Sequence, residues 1–218
     1  MSILSKFDLK TYISLPSPKN ANNKLELNQY EFNELLAKVN LLTEKNNIEL
    51  GLRLLHSHNI PLEDGQAMVE KFSNYEGEPA FITSADSPNN SYPASWISSN
   101  GEYLVFEYST DSYVKRVYEK LLEDSSILDE IIALIKNNKL ESLIGPCILT
   151  RKMLSNFDTN KRQALVEHTI KDGDEYINVV QSKPNEPSIV GIKTLWGNKL
   201  NESCITCIPC VCCVDDEH

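Results

Sequence analysis

Apolar residues change their spacing several times along this chain, and each change marks an expected element. Phe32, Leu35, Leu36, Val39 and Leu42 recur at helical spacing. They follow Asn28, whose side chain is expected to cap the helix while Glu31 closes the reciprocal bond. From Ile48 the period falls to two. Ile48, Leu50, Leu52 and Leu54 alternate with other residues, which predicts a strand ending in His56-Ser57-His58. Residues 66–72 and 80–83 are further strand candidates. Residues 95–98 and 102–108 flank Asn100-Gly101, a pair that tolerates the positive φ values of a tight hairpin turn. Two helices are expected next, over 112–123 and 126–137, the second presenting Ile127, Ile131, Leu134 and Ile135 on one face.

Gly145-Pro146 is read as the stop of this helical region. The C-terminal third then reads as a β-meander with strands over 164–170, 176–181, 189–196 and 204–214. Asp172-Gly173 turns its first pair, and Pro184 and Pro187 punctuate the next. Residues 19–24 carry no apolar period and follow a Pro16-Ser17-Pro18 stretch, so they read as a linker. The expected organisation is a leader and linker over 1–24, one domain over 25–202, and a cysteine-rich tail or edge strand over 203–218. Helices and strands come in runs, which predicts an α+β fold: a mainly antiparallel sheet, about three helices and a C-terminal meander.

Composition narrows the classes of function. The 218 residues suffice for a real core, and 41% hydrophobic with 24% charged residues is ordinary for a globular chain. A formal net charge of −10 argues against nucleic acid as a partner and against anionic membrane surfaces, since both need a positive face. No apolar run approaches the roughly 20 residues that cross a bilayer, so no transmembrane segment is expected. Membrane association would need acylation of the tail cysteines. The first residues lack the apolar stretch of a secretory signal. The expected location is therefore the cytoplasm, where thiols stay free or bind metal.

The densest chemistry is the tail. Cys204, Cys207, Cys210, Cys212 and Cys213 fall within ten residues, with two CxxC spacings, one CxC and one CC. Such crowding suits a polythiolate site for zinc or copper, because soft thiolates select soft ions. Cys204, Cys207 and Cys210 also resemble the CxxCxxC run of bacterial-type ferredoxins, but the fourth cysteine and its proline are missing. The bland alternatives are cysteines packed as small hydrophobes on an edge strand, where Pro209 is tolerated, or a mobile end open to oxidation.

A second candidate is His56-Ser57-His58. On a strand the two rings share a face, so a carboxylate could complete a two-histidine, one-carboxylate metal site. Glu63 gives H-x-H-x4-E, with Gly51 upstream. This resembles the first motif of the cupin family, and the resemblance implies a small β-barrel whose histidines and glutamate hold a divalent metal. The chain departs from that motif in two ways: Gly51 is one residue too close to His56, and Glu70 stands where a glycine is expected. The second cupin motif is not found. His168, on a later strand, is a possible third ligand. The alternative for the H-x-H is a pair of imidazoles bonded to backbone or water. Cys147, the one cysteine outside the tail, is read as buried packing; Trp96 and Trp196 are read as core or rim.

Three functions are consistent with these residues. The first is a binding or interaction protein, with a possible protein partner, whose thiol-rich end takes a soft metal or senses oxidants. The second is a metal-dependent enzyme built on His56, His58 and Glu63. The third is a protein–protein adaptor with incidental cysteines.

Overall fold

The computed structural model describes residues 6–58, 60–99, 102–149, 163–184, 191–197 and 210–212. Among them the chain is α+β, with five helices against a large, mixed, mostly antiparallel sheet that curls into a closed barrel. The helices are α1 (Leu9–Ile13), α2 (Pro18–Glu26), α3 (Gln29–Lys45), α4 (Ser112–Glu123) and α5 (Ser126–Asn137). The strands are β1 (Leu50–Leu54), β2 (Ala67–Tyr75), β3 (Glu78–Asp86), β4 (Tyr92–Ser99), β5 (Glu102–Ser109), β6 (Ile144–Ile148), β7 (Gln163–Asp172), β8 (Glu175–Pro184), β9 (Ile192–Trp196) and β10 (Cys210–Cys212). Around the barrel they run β1-β6-β4-β5-β2-β3-β8-β7-β10-β9, and β9 closes on β1. Pairing is parallel between β2 and β5 and between β7 and β10.

Three expectations are corrected. Five helices replace about three, because the segment read as a linker is helical. Ser17 accepts from the Asn20 amide at 3.4 Å and Pro18 occupies the first turn, so α2 starts with its φ already set. Its buried Ala21 and Leu25, with Tyr12 of α1, place part of the expected leader in the core. Second, Asn28 makes no side-chain cap for α3; its Nδ2 instead donates to the Lys24 carbonyl at 2.7 Å and closes the end of α2. Third, the C-terminal strands are not a meander. β7 and β8 form a hairpin that continues onto β3, whereas β9 lies between β1 and β10. Gly145-Pro146 lies within β6, where a Cβ on Gly145 would sit 2.0 Å from the Trp96 carbonyl oxygen, so only glycine permits that strand spacing.

The main core fills the gap between the helices and one side of the barrel. Leu35 and Val39 of α3 and Ile131 and Ile135 of α5 are buried with Leu50, Leu52, Leu54 and Ile144. Each such side chain stabilises the fold by about 2 kcal/mol on burial. A second cluster joins Tyr12 to Leu55, Met68, Leu104 and Phe106. A third lies on the β3–β8–β7 side and holds Ala80, Ile177 and Val179, with Ile170 packed against it. No described helix is long and apolar enough to cross a membrane.

Candidate metal centre

Alternation along β1 sends Leu50, Leu52 and Leu54 into the core shared with the helices, which leaves Arg53 on the other face. The strand ladder stops at Leu54, two residues short of the first histidine. His56 and His58 lie in the extended segment that follows, pinned by the N-terminal chain. The Ser57 amide donates to the Pro16 carbonyl at 2.9 Å, and the His58 amide to the Tyr12 hydroxyl at 3.4 Å. Their rings lie 4.8 Å apart, and Phe106 packs against both, nearly parallel to His58.

Phe106 and Glu107 are neighbours on β5, yet Arg53 and His58 contact both. A β-bulge accounts for this. Trp96 pairs with Val105 and Ser95 with Glu107, so Phe106 has no opposite number and the side-chain alternation slips. On the other side of the barrel β7 contributes Glu167 and β8 contributes Asn178. Asn178 is in register with Thr169 and shares the face of Glu167.

These side chains form one connected network. Arg53 binds Glu107 Oε1 at 2.7 Å and lies 3.9 Å from Glu167 Oε2. His58 Nε2 donates to Glu107 Oε1 at 2.9 Å, and its Nδ1 lies 3.4 Å from Glu167 Oε1. The Asn178 amide nitrogen donates to Glu167 Oε1 at 3.0 Å and also touches His58 Nδ1. His56 Nδ1 donates to the Leu54 carbonyl at 2.9 Å. One ring nitrogen of each histidine is thus fixed by an acceptor. The lone pairs then fall on Nε2 of His56 and Nδ1 of His58. One ligand atom from each of His56, His58 and Glu167 lies within 4.8 Å of the others, close enough to share a metal ion.

Burial and neighbouring charges set the ionisation of this network. Burial would raise the Glu107 carboxyl, but Arg53 and the His58 hydrogen bond outweigh it and bring the group to about 2. Burial opposes ionisation of Glu167 too, and His58 and Arg53 hold it below the usual range. Burial, aided by His58, pushes His56 down to about 4, so its imidazole is neutral and competent as a ligand. Glu70 on β2 accepts from Ser109 at 3.2 Å, and burial, helped by the Glu107 charge, pushes its carboxyl up to about 8. Two ionised carboxylates therefore face the Arg53 guanidinium and the imidazoles of His56 and His58 in the barrel interior.

Not every residue expected at the site is there. The structure brings His56 and His58 together but sets Glu63 apart: it is exposed in the turn before β2, its amide bonded to Gln66. His168 lies on β7 one residue beyond Glu167, facing the other way, with its ring against Tyr75 at 6.4 Å. The carboxylate that lies beside both histidines is that of Glu167. Of the tail cysteines, Cys204, Cys207 and Cys213 lie outside the described residues. Cys210 and Cys212 are placed by backbone in β10, with Cys212 in register with Glu167. Cys147 is buried in β6, where desolvation pushes its thiol up to about 12 and removes it as a nucleophile.

Arg53, Glu107, Glu167 and Asn178 share a connected network with His56 and His58, the two of its members that the sequence reading singles out as candidate ligands. Fold and site together define a closed β-barrel with a charged, histidine-bearing interior. Comparison of the chain with protein-family models, curated proteins and solved structures gives no match.

Proposed function

We propose that the protein binds a divalent first-row transition-metal ion inside its barrel, on His56, His58 and Glu167. The supporting observation is the convergence of the three ligand atoms within 4.8 Å. The second shell agrees with it. Each imidazole donates its other nitrogen's proton, one to the Leu54 carbonyl and one to Glu107, the arrangement that orients histidine ligands in metal sites. Two imidazoles and one carboxylate suit iron, zinc, nickel or copper, and three protein ligands leave positions open for water or a small ligand. A metal-dependent activity would be built on those open positions.

The test is metal analysis of protein purified without added metal, followed by titration of chelator-stripped protein with Mn(II), Fe(II) and Zn(II). One equivalent bound, and abolished by Glu167→Ala or by His56→Ala with His58→Ala, is the expected result. Failure of all three ions to bind the folded wild type would overturn the reading, leaving a self-contained network of hydrogen bonds and ion pairs.

The tail supports a second, separate reading: a thiol site for zinc or copper(I), or an oxidant-sensitive end. The observation that favours it is the pairing of Cys210–Cys212 with β7 and β9, which puts two of the five cysteines beside the strand carrying Glu167. Replacing the five tail cysteines with serine, which keeps the β10 backbone between β7 and β9, is expected to remove any zinc or copper held by thiolates and to leave the histidine-bound metal in place.

A further inference from the structure

Asn178 occupies an unusual position relative to the proposed ligands. It is 2% exposed, on a strand held on both sides, with Thr169 of β7 and Thr83 of β3 in register beside it. Thr169 Oγ1 donates to its Oδ1 at 2.7 Å. Its Nδ2 contacts Glu167 Oε1 and His58 Nδ1 together, so its two hydrogens are directed at the two lone pairs a metal ion would use. Amide and metal cannot occupy that place at once. The backbone around Asn178 is fixed by two ladders, whereas rotation of the amide about its terminal torsion needs no backbone movement. Nδ2 and Oδ1 are nearly equal in shape, and the Thr169 hydroxyl both donates and accepts. After rotation Nδ2 would donate to Thr169, and Oδ1 would face the ion.

We infer that Asn178 is the fourth protein ligand of the centre, its amide turning from a donor that bridges His58 and Glu167 into a carbonyl oxygen on the metal. This rests on the metal-binding reading and makes it more specific. A set of two imidazoles, a carboxylate and an amide oxygen is harder than the triad alone. It shifts preference toward ions that accept oxygen and a higher coordination number, Mn(II) and Fe(II), over tetrahedral zinc. The step breaks the two hydrogen bonds from Nδ2 and the one that Oδ1 accepts from Thr169, and forms one metal–oxygen bond and one hydrogen bond from Nδ2 to Thr169 Oγ1; no redox change is involved.

The experiment measures Mn(II) binding by electron paramagnetic resonance in the full chain, comparing wild type with Asn178→Leu and Asn178→Asp. A ligand and a mere placeholder give opposite signs. If Asn178 is a ligand, Asn178→Leu weakens binding by more than about tenfold, and Asn178→Asp binds at least as tightly as wild type. If the amide only blocks the site, Asn178→Leu binds as well or better, and the inference is overturned while the metal centre stands. Absence of Mn(II) binding to wild type overturns the inference, and the metal-binding reading falls with it only if Fe(II) and Zn(II) also fail to bind. Should Asn178→Leu fail to fold, the near-isosteric Asn178→Asp decides: weaker Mn(II) binding than wild type counts against the inference. In a structure of the Mn(II)-loaded wild type, Oδ1 is expected within about 2.2 Å of the ion; a distance beyond hydrogen-bond range also overturns it.

Discussion

Replacing Arg53 with methionine tests whether the barrel interior is organised by charge. The substitution keeps length and apolar contact with Phe106 but removes the cation 2.7 Å from Glu107 and 3.9 Å from Glu167. The side chains concerned are 13%, 9% and 4% exposed, so water screens them little. Glu107 falls from an ordinary 4.5 to about 2, which at about 1.4 kcal/mol per pKa unit amounts to about 3 kcal/mol. Removing one partner of a buried pair costs ~3–5 kcal/mol by general experience, in agreement. Because the folded-state value is depressed, this stability is fully present above pH 4.5 and is lost as pH falls toward 2. In Arg53→Met the sign reverses. Glu107 then keeps only His58 and Ser95 as partners against the cost of burial, which makes its ionised form costly at neutral pH and favours its protonation in acid.

Urea unfolding in the presence of chelator, at pH 7 and pH 5, reads this directly. The variant is expected to lose about 3 kcal/mol at pH 7 and clearly less at pH 5. Adding Glu107→Gln should restore part of the loss, because it removes the stranded charge. A loss below about 1 kcal/mol at pH 7, or one independent of pH, would show that Arg53 does not hold the carboxylates ionised.

Three further outcomes follow from the same geometry. Glu70, raised to about 8, favours the fold fully below its ordinary value of 4.5 and loses that contribution as pH rises through 8. Glu70→Gln should therefore flatten the fall in urea midpoint between pH 7 and pH 9, and an unchanged slope would refute the assignment. Tyr12 is 2% exposed and stacked 5.7 Å from Phe106, so Tyr12→Ala should cost about 3–4 kcal/mol and increase hydrogen exchange at the Ser57 and His58 amides. The Cys147 thiol, raised to about 12, should resist a water-soluble disulfide reagent in the native protein and react on unfolding. Cys147→Ser, read against wild type by mass spectrometry, separates it from the tail thiols.

Much of the fold was legible because local rules and tertiary structure agreed. The helices over Ser112–Glu123 and Ser126–Asn137 fall where their patterns ended, and the strands on either side of residues 100 and 101 pair as a hairpin. The α2 helix was missed because polar composition was weighed above a readable start signal, Ser17 followed by Pro18. The site was legible only in part. His56 and His58 are two residues apart in sequence, and their shared location survives even though β1 ends before them.

Glu167 was hidden for a physical reason. A period of two separates the faces of a strand but does not say which face turns inward. Along β7, Val166, His168 and Ile170 form the more apolar set, and the usual inference sends that set into the core with His168 among the ligands. Ile170 does pack against a cluster, with Ile177 and Val179, but on the face away from the histidine site. Closure of the barrel gives β7 a second buried face, which carries Glu167 and, across on β8, Asn178. A carboxylate on that face cannot be left to water. It must be met by Arg53, by His58 or by a metal ion, which is why the polar half of an alternating strand is where the chemistry of this barrel is concentrated.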